Sequence, residues 1–218
     1  MKRLAIAPEE FLFWCYGNKT VKKENLLVKK YQIIYADPPW SYRDKARAGK
    51  RGAEYKYPCM SVEQIKALPV NALAAADCAL FLWVTFPMLS EGLEVIQAWG
   101  FIYKTVAFTW VKTTRNGKLF WGMGNWTRSN AEVCLLGVKG HPTRISTAVH
   151  SVIMATVREH SQKPDETRGR IVQLMGDLPR IELFARKKVP GWDAIGNDID
   201  GRDIKCLLAE AIRREQQA

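Results

Sequence analysis

Ile33-Ile34-Tyr35-Ala36 runs directly into Asp37-Pro38-Pro39-Trp40. The first four residues form an apolar run led by two β-branched side chains and read as a short buried strand. The two prolines end it, because each fixes φ and neither supplies a backbone N–H. Such a stop sets Asp37 at the carboxyl end of the strand, the edge of an α/β sheet where ligands bind. The quartet then offers a carboxylate, a rigid turn, the Pro38 carbonyl and an aromatic ring in one place. That set suits a planar base bearing an amino group. Asp-Pro also opens ordinary turns, so on these four residues alone a site and a plain turn stand equal.

Working outward, apolar runs alternate with helical patterns, which predicts an α/β architecture. Cys78 to Val84 is continuously apolar, as for a strand buried on both faces. Phe101–Lys112, Ala131–Val138, Val152–Val157 and Ile181–Ala185 read as further strands. Ser61 and Gln64 stand in capping-box spacing before a short helix. Residues 87–99 form a helix with Leu89, Leu93 and Ile96 on one face and Gly100 as the stop. Pro164–Met175 is another, with Pro at its start, acids in its first turn and Gly176 beyond its end. Its apolar stripe is Ile171, Leu174 and Met175. A last helix carries Ile204, Leu207, Leu208, Ala211 and Ile212 on one face. The organisation that follows is an N-terminal extension over 1–30, a catalytic domain over 31–201 and a C-terminal helix over 202–218.

The whole chain, 218 residues and 47% hydrophobic, suffices for one domain with a sizeable core. Its 33 Lys and Arg against 22 Asp and Glu leave a net charge of +11, a balance that suits a polyanionic partner such as nucleic acid. The five cysteines are widely spaced with no CxxC pair, which argues for reduced thiols in a cytoplasmic setting and against a zinc site. The histidines lack metal-ligand spacing, so no metal is expected. No apolar run is long enough to span a bilayer.

Two long loops are the functional suspects, since binding groups concentrate on loops held by a rigid sheet. Residues 41–58 interleave Arg43, Lys45 and Arg47 with Tyr42, Tyr55 and Tyr57; residues 113–130 combine Arg115, Lys118 and Arg128 with Phe120, Trp121 and Trp126. Cations among aromatics suit phosphate contact and base stacking. A solvated charged loop accounts equally well for either one alone. Gly122-Met123-Gly124 lacks the third glycine and following helix of a dinucleotide fingerprint. No GxSxG setting supports a hydrolase.

Seven segments in order extend the reading: Ala36–Trp40, Leu80–Thr85, Trp110–Thr113, Leu136–Gly140, Ser161–Glu166, Ile181–Arg186 and Gly196–Asp198. Together they resemble the DPPW-type N6-adenine methyltransferases, a family of eukaryotic messenger-RNA writers and prokaryotic and phage DNA enzymes. The resemblance spans about Tyr31 to Gly201. It implies a Rossmann-like, permuted methyltransferase sheet, mostly parallel with helices on both faces, and S-adenosyl-L-methionine as cofactor. It also implies roles. Asp37, Pro38, Pro39 and Trp40 would be catalytic, with Trp40 stacking on the base. Asp37, Lys163, Phe184, Arg186, Lys188, Asn197 and Asp198 would line the cofactor site. Tyr57, Trp126 and Glu132 would lie near the acceptor base; Arg128, Arg43, Lys45 and Arg47 are expected on the nucleic acid from their place in the two loops, independently of the resemblance. Lys188-Val189 stand where the family often has His-Asn, and Asp198 replaces a frequent Gln. The compact length favours DNA as substrate. RNA is the first alternative, and a non-catalytic nucleic-acid-binding subunit, working beside an active partner, the second. A monomer or dimer of prokaryotic or phage origin is expected.

Overall fold

The computed structural model describes residues 29–41, 59–124, 126–158, 162–201, 204–206 and 208–209. Its strands are β1 Tyr31–Ala36, β2 Ala74–Val84, β3 Ile102–Thr113, β4 Ala131–Lys139, β5 Val152–Thr156, β6 Arg180–Leu183 and β7 Asp193–Ile195. The helices are α1 Val62–Lys66, α2 Leu89–Ala98, α3 Glu166–Met175 and α4 Asn197–Asp200. The strands form a single sheet in the order β5-β3-β4-β2-β1-β6-β7. Only β4 runs antiparallel to its neighbours, β2 and β3; the remaining pairings are parallel. The expected mostly parallel α/β sheet of Rossmann-like type is therefore the fold.

Strand alternation builds two cores. Successive side chains of a strand point to opposite faces. Along β1 and β2, Ile34, Ala36, Cys78, Leu80, Leu82 and Val84 enter one core. Ile33, Tyr35, Ala79, Phe81 and Trp83 enter the other. The first core is covered by Ile65 of α1, by Val95 and Ile96 of α2, and by Ile204 and Leu208. The second is covered by Ile171 and Met175 of α3. Burial on both faces is why β1 and β2 read as unbroken apolar runs.

Several boundaries shift for physical reasons. Ser61 and Gln64 close the capping box, with hydrogen bonds of 2.9 and 3.2 Å. The helix expected over 87–99 opens as a 3-10 turn, Phe86–Met88, before α2 begins. Its buried face is Gly92, Val95 and Ile96, whereas Leu89 and Leu93 are 37% and 38% exposed. Gly92 decides this: a Cβ there would lie 2.5 Å from Val84 Cγ1, so the helix meets β2 along its smallest residue. α3 begins at Glu166, two residues after Pro164, and buries Ile171 and Met175 while Leu174 is half-buried. β6 stops at Leu183, short of Ala185, because Phe184 turns to φ 62. Residues 1–28, the loop 42–58 and Leu207, Ala211 and Ile212 lie outside the described residues.

Candidate active site

The end of β1 is held from several sides. Pro38 O accepts a hydrogen bond from Trp40 N at 2.9 Å, which tightens the turn. A carbonyl has two acceptor positions, so one is left for a ligand. Pro39 O accepts from Met60 N at 2.9 Å, and Ser41 N donates to Met60 O at 3.1 Å. The loop between Ser41 and Cys59 thus leaves and returns at a closed neck. Trp40 departs from expectation. Its ring is 5% exposed within the core, and its indole N–H donates to Trp83 O at 3.0 Å. Trp83 in turn donates to Tyr35 Oη at 2.7 Å. Trp40 is a buried brace for the turn, and a ring so enclosed has no face to stack on a base.

A chain of charges crosses the sheet edge beside this turn. Lys163 Nζ lies 2.7 and 2.8 Å from the two oxygens of Asp37. The same ammonium is 3.3 Å from Glu132 Oε2, while Glu132 Oε1 accepts from Lys112 Nζ at 2.6 Å. The residues come from four places: the end of β1, the segment before α3, the start of β4 and the end of β3. They converge because β4 runs antiparallel, so its beginning shares an edge with the ends of β1 and β3. Burial pushes the Asp37 carboxyl above the usual aspartate range, against the pull of Lys163. Burial would also raise Glu132, but the charges of Lys163 and Lys112 outweigh it and hold that carboxyl low. Burial would lower Lys163, yet Asp37 and Glu132 reverse this and keep it firmly protonated.

On the other side of Asp37 opens a cavity of about 550 Å³. Asp37, Pro38, Pro39, Lys163, Phe184, Arg186, Asn197 and Asp198 line it. Lys188 does not, nor do Trp40, Glu132, Trp126 and Arg128. Its shape depends on a close backbone crossing: a Cβ on Gly196 would fall 2.1 Å from Ala185 O and 2.6 Å from Ala185 N. That contact draws the start of α4, with Asn197 and Asp198, against the end of β6. Phe184 sits in the left-handed region beside it, a strain of order 1 kcal/mol of the kind that gathers at ligand sites. Arg168 and Glu182 also line the cavity and pair through two bonds of 2.7 Å. The sequence reading missed them. The usable signal was Glu182, a lone acid inside the apolar strand β6.

The second loop rises from the same edge. Trp126 is 99% exposed, and Arg128 lies 4.6 Å over the Trp121 ring. Gly122 and Gly124 serve close packing: Cβ atoms there would fall on Ser129 O and Thr127 O. Tyr57, Arg43, Lys45 and Arg47 belong to the loop outside the described residues. Among the described residues no group of three or more His, Cys, Asp or Glu could hold a metal ion, and no helix is long and apolar enough to cross a membrane.

The sheet and the acid-bearing turn at its edge define a Rossmann-like methyltransferase. The chain belongs to the MT-A70 family of N6-adenine methyltransferases, which it matches over residues 31–198. It is 35% identical over 195 residues to the type II methyltransferase M.MunI of a Mycoplasma species, covering 81% of each chain. It is 35% identical over 193 residues to an MT-A70-like N(6)-adenosine-methyltransferase of Drosophila melanogaster, and 33% identical over 196 residues to the human N(6)-adenosine-methyltransferase catalytic subunit METTL3. Those alignments take in 86% and 88% of this chain but 30% and 32% of the relatives.

Proposed function

We propose that this protein transfers a methyl group from S-adenosyl-L-methionine to the N6 amino group of adenine in DNA. One observation carries the reading: a lysine-held carboxylate and a proline carbonyl stand together at the rim of a cofactor-sized cavity. The cavity volume lies in the range that encloses small ligands. Its donors and acceptors fit the cofactor in kind: Asp37 would suit its ammonium, and the Asn197 amide and Asp198 carboxylate would suit the polar groups of its adenosine part. When bound, the cofactor supplies an electrophilic methyl group on a sulfonium.

The acceptor amine is a weak nucleophile, because its lone pair is delocalised into the adenine ring. The Asp37 carboxylate and the remaining acceptor position of Pro38 O would each take one amino hydrogen. Charge-assisted bonds of this type are the stronger kind. Held by two acceptors, the nitrogen would be biased toward pyramidal geometry, with its lone pair freed for attack. Lys163 keeps both oxygens of Asp37 oriented, and positioning of this kind can supply much of a transfer rate. After transfer the nitrogen is cationic and sheds its proton readily, so Asp37 need not be a strong base. An adenine in duplex DNA would have to leave the stack, at about a few kcal/mol, which aromatic and basic residues such as the exposed Trp126 and Arg128 would offset in part.

Similarity to the type II methyltransferase supports DNA as the substrate. The match to the type II methyltransferase covers four-fifths of both chains, whereas the chain spans about a third of the adenosine-methyltransferases it resembles. The identity to those enzymes supports RNA as the second reading. Labelled cofactor, matched DNA and RNA oligomers and mapping of the modified base test both. Product as N6-methyladenine in DNA, lost in Asp37→Ala, is the expected result. Near wild-type turnover by that variant would sink the reading.

A further inference from the structure

We infer that Lys112 is a positioning residue for the Asp37 carboxylate, acting through Glu132 and Lys163, and that it ties the loop 113–130 to this chain of charges. The inference rests on the methyl-transfer reading above. Lys112 stands near the end of β3 and Glu132 near the start of β4, on adjacent strands. The Lys112 ammonium donates to Glu132 Oε1 at 2.6 Å and sits 5.1 Å above the Trp110 ring centroid. Both side chains are largely shielded, at 17% and 9% exposure, so the pair is not screened as a surface ion pair is.

The distances are unequal, and that inequality decides which lysine serves which acid. Glu132 is 2.6 Å from Lys112 and 3.3 Å from Lys163, while Lys163 is 2.7 Å from Asp37. Lys112 therefore satisfies most of the Glu132 charge and leaves Lys163 to Asp37. Without it, Lys163 would be the ion-pair partner left to Glu132 among the described residues, and the ammonium would be drawn off Asp37. The main chain makes Lys112 a junction as well. Its N–H donates to Asn130 O at 2.8 Å, and its carbonyl accepts from Phe120 N at 2.9 Å. Both flanks of the exposed loop thus meet at this residue, so a shift of the loop reaches Glu132 directly. Around Asp37 itself, Lys163 and Arg186 favour the ionised form, Glu132 disfavours it, and Tyr35 and Cys134 are the other titratable neighbours. Lys112 works through the first and third of these.

The test compares full-length wild type, Lys112→Met, Lys112→Gln and Lys112→Arg. In Lys112→Met, kcat should fall about 10- to 100-fold, the scale of a misplaced reacting group. KM for the oligonucleotide should stay within about twofold, and the acid limb of the kcat profile should move to higher pH. Lys112→Arg should restore most of the rate. Lys112→Gln, which keeps a donor to Glu132 but loses the charge, serves if the methionine variant does not fold. Carbon-13 NMR of the Asp37 carboxyl needs no turnover. Its titration midpoint should rise by about one pH unit in the methionine or glutamine variant and return with arginine. An unmoved midpoint with unchanged kcat overturns the inference, and so does an effect confined to KM or to the melting temperature. A midpoint that shifts in the variants while the wild type methylates no adenine would keep the positioning role and remove the proposed function instead.

Discussion

At Asp37 burial and charge pull in opposite directions. Enclosure among the strand ends disfavours the ionised form, Lys163 and Arg186 favour it, and burial wins, so the carboxyl lies above its ordinary 3.8. A carboxylate in that condition is a better hydrogen-bond acceptor than an exposed one, as clamping an amino group requires. Only the ionised form accepts from both sides. The acid limb of kcat should therefore fall above pH 3.8, set by Asp37, and a pH–rate profile on a defined oligomer checks it. Glu132, held low by two lysines, should be ionised throughout that range. Asp37 stood out in the sequence at the end of an apolar run, whereas Lys163 entered through the family resemblance alone and its bond to Asp37 was not foreseen. Nor was the role of Trp40. Its indole finds a carbonyl 43 residues away, at Trp83, and no local pattern reports such a partner. Lys112 stood within the quoted segment Trp110–Thr113, but its partner did not show, since only strand pairing brings it to Glu132.

Among the elements, the strand carrying the quartet and its neighbour β2 were plain from the residues, because burial on both faces leaves a continuous apolar run. Helix α2 was legible as a helix but not in its facing. Leucines at helical spacing suggested the buried stripe, while the packed surface is built around Gly92, which a hydrophobicity pattern passes over. The junction of β6 and α4 was equally obscure, because its deciding contact is backbone against backbone. Gly196→Ala tests that junction. The added methyl must displace Ala185 or α4, and overpacking of this kind costs about 1–3 kcal/mol. The expected outcome is a lower melting temperature together with at least about tenfold weaker cofactor binding by calorimetry, a shift of about 1.4 kcal/mol or more. An unchanged affinity would separate α4 from the cofactor.

For the whole molecule, the net charge of +11 has a measurable consequence. Each phosphate neutralised by a cation releases counterions, so affinity for DNA should fall steeply between about 50 and 200 mM salt, on the order of a hundredfold or more. Fluorescence anisotropy on a labelled oligomer measures this, and a flat response would exclude phosphate contacts as the source of binding. Composition alone carries that property, whereas which cations meet the nucleic acid depends on loop placement. The two loops share one further trait. One is drawn shut at its base by the pairing of Pro39 and Ser41 with Met60, the other by the bonds of Phe120 and Asn130 to Lys112. Once a loop is closed at its base, doubling its length adds only about 0.6 kcal/mol of closure entropy. Under the proposed function, exchange of the segment between Ser41 and Met60 should therefore change the sequence methylated while leaving the Asp37–Lys163 pair in place.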